Sequence, residues 1–485
     1  MTGRDVQVPP AGHGENVTEA VVGCDLLVEG TVATMDGERR TIEDAAIAVR
    51  DGAIVEIGLA QALRARYRPA RHLGGTDAIV LPGMIDTHTH CSQCFVRSLT
   101  ANELPMIPRV YVPAQRALDA AQVDATVRLI AAQMLRAGVT TICDGTLIPG
   151  HEEATIEALR AVGIRCSFAR GAGDQDFDHA SLYRQYNDRS WVKAREGEAA
   201  RDLLRTEALL ARFPAGGKQR IRAAVTASAV LGYSREYFEG ASALARRHGT
   251  TLQVHVGRDR EEVEFSLAVW GRRPVERLAD CGVIDEHLVA VHAVLASGPE
   301  IALLAAGRAA LAHSPMECVY NLNAVPDIQR FRLGGCTVGL GCDNQGNDMF
   351  ATMRAALLIH GAVWGIPRYD AEYLSADDVL AMATCDAARV LKWDDHIGSL
   401  EVGKAADFVV LDGAAPHLMA RQDLVTDVVR FASRAEVLQT VVGGDLLYDR
   451  GEFPTIDVGA LRRDAAAGAA FVREQVAGRR YKPLR

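Results

Sequence analysis

Eight short apolar runs recur along the middle of the chain, and reactive side chains stand where several of them end. The runs are Ile79–Thr89, Thr140–Asp144, Arg165–Ala169, Ile221–Thr226, Thr251–His255, Leu288–His292, Ala309–His313 and Thr337–Cys342. Between most of them lies enough chain for a loop and a helix or two. Intervening stretches such as Val123–Ala137 and Tyr237–His248 carry apolar residues at helical spacing. A strand-then-helix unit repeated eight times predicts an α/β fold, a (β/α)8 TIM barrel, in which functional side chains gather at the C-terminal strand ends. His88 and His90 end the first run, His255 the fifth, His292 the sixth and His313 the seventh, and Asp343 follows the eighth. These side chains are therefore expected to face one mouth.

At 485 residues the chain exceeds what a barrel alone requires. The surplus lies at both ends. Asp25–Gly30, Ala46–Arg50 and Ala53–Gly58 read as short strands of a small antiparallel sheet, with turns at Asp36-Gly37 and Asp51-Gly52. Ala406–Leu411, Val425–Phe431 and Val437–Tyr448 read as a matching set downstream. Neither set has the strands or apolar area to stand well alone, so the expectation is one small composite β-sandwich built from both chain ends. The expected boundaries are a flexible leader at 1–20, sandwich parts at 21–80 and 398–455, the barrel at 81–397, and a C-terminal helix and tail at 456–485.

A net charge of −9 argues against nucleic acid or an anionic membrane as partner. Residues 1–20 are polar, with no apolar core of a secretory signal, and no run of 18 apolar residues suggests a membrane span. The expectation is a cytoplasmic enzyme with reduced thiols, acting on a small molecule. Cys91 and Cys94 have C-x-x-C spacing, but with no second such pair they read as loop thiols.

Residues i and i+2 of a strand share a face, so His88 and His90 can both point into the barrel. They follow Leu81-Pro-Gly-Met-Ile-Asp. That segment, with Thr87-His-Thr-His, resembles the first-strand signature of the amidohydrolase superfamily. Ala137-Gly-Val-Thr-Thr, Val338-Gly-Leu-Gly-Cys-Asp, Met382-Ala-Thr and Ile397-Gly-Ser-Leu-Glu-Val-Gly-Lys-Ala-Ala-Asp-Phe-Val-Val-Leu extend the resemblance over nearly the whole chain. Within that superfamily the chain is similar to the branch of cytosine, guanine and adenosylhomocysteine deaminases and triazine hydrolases.

The resemblance implies that His88, His90, His255 and Asp343 hold one divalent metal ion. Zinc is the first choice, with iron, cobalt and manganese compatible with the same ligands. It implies water activated by the metal, Asp343 carrying the proton to the leaving group, and His292 as the second catalytic residue, stabilising the developing negative oxygen. No lysine follows the second to fourth runs where a carbamylated bridge between two metals would stand, so one metal is expected. Relatives commonly pair or form larger rings, which implies a homo-oligomer.

Two departures bear on substrate. In heteroaromatic deaminases a glutamate usually follows the fifth-strand histidine by three residues; here that position is Arg258, a permanent cation that cannot shuttle a proton. After His313-Ser-Pro, Glu317 stands among residues that relatives keep small and polar. Arg258, Glu317, His313 and Asn344 are the expected substrate contacts, and Phe95, Met106 and Tyr111 are further candidates for the pocket wall. The long polar and aromatic segment 174–191 is a candidate lid. The resulting expectation is hydrolysis of a non-peptide C–N bond in an amide, urea or carbamate. The alternatives are an aminohydrolase or chlorohydrolase acting on a purine, pyrimidine, pterin or triazine ring, and a barrel that has lost catalysis and serves as a binding module.

Overall fold

Gly83 divides the first long apolar stretch between two sheets. Its N–H donates to the Asp407 carbonyl at 2.9 Å, and a Cβ there would lie 2.2 Å from Oγ1 of Thr140. Only glycine fits that approach. The first expected run is thus two strands, one ending at Pro82 and the next beginning at Met84. The computed structural model describes residues 21–100, 106–145, 149–171, 173–176, 193–344 and 346–479. The expected leader at 1–20 and most of the candidate lid lie outside the described residues.

The first sheet takes strands from both chain ends. β1 (Val22–Ala33), β2 (Thr41–Arg50), β3 (Ala53–Leu59) and β4 (Tyr67–Pro82) come from the N-terminal side. β1, β2 and β3 pair antiparallel as expected, while β4, which was not among the strands expected in this sheet, runs parallel to β1 because helix Ala60–Arg66 carries the chain back across. The outward Arg68, Arg71 and His72 of β4 hide its strand character in the sequence.

The barrel follows: β5 (Met84–Thr89), β6 (Val139–Gly145) and β7 (Arg165–Ala169), a two-residue hairpin of β8 (Gln175–Asp176) with β9 (Lys193–Ala194), then β10 (Ile221–Ala227), β11 (Leu252–Val256), β12 (Leu288–His292), β13 (Ala310–His313) and β14 (Val338–Leu340). Apart from the hairpin, these eight pair in parallel in chain order from β5 to β14. Between β14 and β5 the Asp343 N–H donates to the His88 carbonyl at 2.8 Å, and the Thr87 hydroxyl donates to the Leu340 carbonyl at 2.9 Å. Asp86 adds a side-chain clasp, Oδ1 accepting from the N–H of His88 at 3.0 Å and of Cys342 at 3.1 Å.

β15 (Phe408–Asp412), β16 (Val437–Val442) and β17 (Asp445–Asp449) return to the first sheet, whose order is β17-β16-β15-β4-β1-β2-β3. Val28, Ile47, Leu400, Phe408 and Val441 meet in a core separate from that of the barrel. The stretch Val425–Phe431, expected as a strand, is helix Leu424–Phe431. Asp423 caps it, accepting from the Thr426 N–H at 2.7 Å, and Val425, Val428 and Val429 share its buried stripe. β-branched composition suggested a strand where the spacing is helical.

Among the described residues one continuous helical segment, Met349–Arg368, is long and apolar enough to cross a membrane. Here it turns Phe350, Met353, Ala356 and His360 into the core, and Arg354 donates to the carbonyls of Arg430 and Ala432. The C-terminal helix Val458–Val476 lies over the loop after β5, with Gly468 against the ring of Phe95. All ten cysteines are buried and free.

Candidate active site

The strand ends bring five ligand-type side chains together. Among His88, His90, His255 and His292 the ring centroids of neighbouring pairs lie 4.7–5.5 Å apart. Oδ2 of Asp343 is 3.6 Å from Nε2 of both His88 and His292. Ligand atoms of His88, His90 and Asp343 all fall within 4.8 Å of one another, as do those of His88, His255 and His292. His88 and His90 share a face of β5, and Asp86, two residues earlier, continues it.

The tautomers suit metal binding. Nδ1 of His90 is 2.8 Å from the Gly145 carbonyl, which can only accept. Nδ1 therefore carries the proton and Nε2 offers its lone pair, the arrangement a second hydrogen bond imposes on a ligating imidazole. His255 and His88 approach Nε2 to Nε2 at 3.2 Å, and Nδ1 of His88 and of His292 is buried without a hydrogen-bond partner. Burial first, then the neighbouring imidazoles, holds His88 and His255 well below the usual histidine range. Burial also lowers His90, with the Arg258 charge helping, against the opposing pull of Asp144 and the Gly145 hydrogen bond. Burial pushes the Asp343 carboxyl upward, while its backbone neighbour Asn344 and the Arg258 charge oppose this. Neutral imidazoles whose Nε2 atoms converge beside a buried carboxylate are a donor set that fits one divalent ion.

Two of these side chains hang from left-handed backbone. His292 and Asp343 adopt left-handed φ of 70° and 52°.

Arg258 stands two residues beyond β11. Its guanidinium binds Asp259, with Nε donating to Oδ2 at 2.8 Å, and its N–H donates to Oε2 of Glu262 at 2.8 Å. Its charge reaches the cluster, lowering His255 and His292 as well as His90. Glu317 is buried and accepts from Nδ2 of Asn321 at 2.7 and 2.8 Å. Asn344 donates to Oε1 of Gln93 at 2.8 Å. His313 is fully buried, its Nε2 lying 2.8 Å from Nε2 of His360. Phe95, a candidate for the pocket wall, packs instead against Gly468.

Two supporting residues have no counterpart in the sequence reading. Asp86 could have been found, since the period-2 face of β5 includes it. His360 lies on helix Met349–His360, and no motif or spacing relates it to His313.

An eight-stranded parallel barrel with an imidazole–carboxylate cluster at its strand ends defines a metal-dependent hydrolase. The Amidohydrolase family matches residues 79–447. The 5-methylthioadenosine/S-adenosylhomocysteine deaminase of Nitratidesulfovibrio vulgaris is 31% identical over 90% of this chain and 95% of its own. That of Syntrophobacter fumaroxidans is also 31% identical, over 89% and 94%. An adenosine deaminase from Xanthomonas campestris with bound zinc superposes with a TM-score of 0.83 at 25% identity, covering 94% of this chain and all of the other. The zinc complex of atrazine chlorohydrolase from Arthrobacter aurescens gives 0.80 at 23%, covering 92% and 100%. The chain belongs to the amidohydrolase family and is a hydrolase acting on carbon–nitrogen bonds.

Proposed function

We propose that His88, His90, His255 and Asp343 hold one divalent ion, zinc by preference, and that the chain hydrolyses a non-peptide C–N bond of amide, urea or carbamate type. Such an ion supplies a water-derived nucleophile at neutral pH. The Asp343 carboxylate takes a proton from the attacking water at Oδ2 and returns it to the departing nitrogen. His292 is kept neutral, chiefly by burial, so one ring nitrogen carries a proton to donate to the oxygen on which negative charge develops. The zinc named with the adenosine deaminase and the chlorohydrolase supports the choice of metal.

The observation that carries the substrate preference is Arg258. It occupies the position where a ring deaminase would place its proton-shuttling glutamate, and its guanidinium can only donate. An amide, urea or carbamate offers a carbonyl oxygen to such a donor. The second reading, an aminohydrolase acting on a purine or related ring, is favoured by the full-length similarity to 5-methylthioadenosine/S-adenosylhomocysteine deaminases.

Metal analysis followed by a hydrolysis screen separates the two. The zinc-loaded protein is offered anilides, phenylureas, carbamates and amino-heterocycles, with 5-methylthioadenosine among the last. Turnover of the acyclic compounds is expected. Ammonia release from the rings alone would reverse the ranking. A protein that holds metal yet turns over no member of either set would leave neither reading standing.

A further inference from the structure

One buried hydroxyl beside this site has no role in the chemistry above. Tyr111 ends the helical turn Ile107–Tyr111, in the connection between β5 and β6, and is 3% exposed. Its Oη is sealed from solvent and makes no hydrogen bond of ordinary geometry, although Thr100 and Asn344 lie beside it. The charges that act on it are those of Glu317 and, more weakly, Asp343. Its polar neighbours have partners of their own: Asn344 donates to Gln93, and Glu317 accepts from Asn321.

A buried hydroxyl without a partner is costly to fold, and native structures seldom carry one for nothing. Phenylalanine would fill the same space without that cost. Burial and the two nearby carboxylates keep the phenol protonated, so it can act as a donor. Its location next to Asn344 and within the field of Asp343 puts that donor at the strand ends where the substrate is worked on.

We propose that Tyr111 is a specificity-determining residue whose hydroxyl donates a hydrogen bond to an acceptor atom of the bound substrate, a carbonyl oxygen or a ring nitrogen next to the scissile C–N bond. This rests on the reading of the strand ends as a C–N hydrolase site. It holds for the acyclic and the ring substrate alike, since both carry such an acceptor.

The test is Tyr111→Phe in the zinc-loaded enzyme, compared with wild type on whichever compounds the screen identifies. The kcat/KM is expected to fall about 5- to 150-fold, the equivalent of one such hydrogen bond, with the loss mainly in KM. Metal content should stay at the wild-type value. The melting midpoint without substrate should be unchanged or higher, because an unpartnered buried hydroxyl has been removed. Unchanged kcat/KM overturns the proposal, and so does a lower midpoint, which would show the hydroxyl serving the fold. A screen with no turnover overturns the function reading and this proposal with it, whereas turnover with unchanged kcat/KM overturns the role of Tyr111 alone.

Discussion

Nε2 of His255 stands 3.2 Å from Nε2 of His88. Two protonated nitrogens cannot be held that close in a buried site, so at least one presents a bare lone pair. His90, with Nδ1 committed to the Gly145 carbonyl at 2.8 Å, presents another. The chain is therefore expected to bind one equivalent of divalent metal, and a chelator should abolish turnover until zinc is restored. His90→Ala should weaken metal binding by at least about 100-fold, read by metal analysis and by calorimetric titration of the metal-free protein.

Asp343→Asn tests proton transfer with little structural change. The backbone at this position is fixed independently of the carboxylate: its N–H donates to the His88 carbonyl at 2.8 Å, and its own carbonyl accepts from Oγ1 of Thr89 at 2.8 Å. Asparagine tolerates the left-handed φ as aspartate does. The melting midpoint of the metal-free protein should hold while kcat drops by about 10²- to 10⁴-fold, the usual range for a general acid–base. Full activity in the variant would remove Asp343 from the proton path.

Arg258→Glu addresses substrate choice. The change places a carboxylate three residues after His255 and leaves Asp259 without the guanidinium that now binds it. Turnover of the acyclic C–N substrates should fall at least about 10-fold, in kcat/KM. If the native reaction survives unchanged, Arg258 is a surface charge and the argument for an acyclic substrate loses its support.

The barrel was legible because its signals are local. His88 and His90 declare a shared face by their spacing, and each expected run from the second to the eighth overlaps a barrel strand. Pairings across distant parts of the chain leave no such mark. His313 meets His360 across 47 positions and Asn344 meets Gln93 across 251, and only the folded backbone relates them. The parallel pairing of β1 with β4 was hidden for another reason, since the exposed Arg68, Arg71 and His72 break the apolar alternation in the first half of β4. Val425–Phe431 shows the opposite fault, β-branched residues on a helical period.

Glu262 predicts a pH dependence of stability. It is 4% exposed, Oε1 is buried without a partner, and Oε2 accepts from the Arg258 N–H at 2.8 Å. Burial, reinforced by the Asp259 charge, raises its carboxyl from the ordinary 4.5 to about 8. Between these values the folded chain holds a proton that the unfolded chain has released, so stability falls as pH rises through the window, by up to about 1.4 kcal/mol per pH unit. Glu262→Gln keeps an acceptor for Arg258 and removes the ionisation. Its stability advantage over wild type should grow from pH 5 to pH 8 in denaturant titrations, and an advantage independent of pH would show that Glu262 is already ionised.

The junction between barrel and first sheet rests on a buried ion pair. Arg165, which opens β7, donates to Asp407 through Nε at 2.6 Å and Nη2 at 3.0 Å, and both side chains are 2% exposed. Asp407 also accepts from the Gly443 N–H at 2.6 Å, so one carboxylate links the barrel to the turn between β16 and β17. Removing either partner strands the other charge in an apolar setting. Arg165→Met or Asp407→Leu alone should therefore cost about 3–5 kcal/mol, while the double replacement should cost less than the two single losses combined, because no charge is left unpaired. Arg165 lies at the strand end opposite the mouth, so the variants should keep their kcat where they remain folded. Denaturant titration of the four proteins gives the coupling directly. Additive losses would mean that the two residues act independently and that the junction is held by apolar packing.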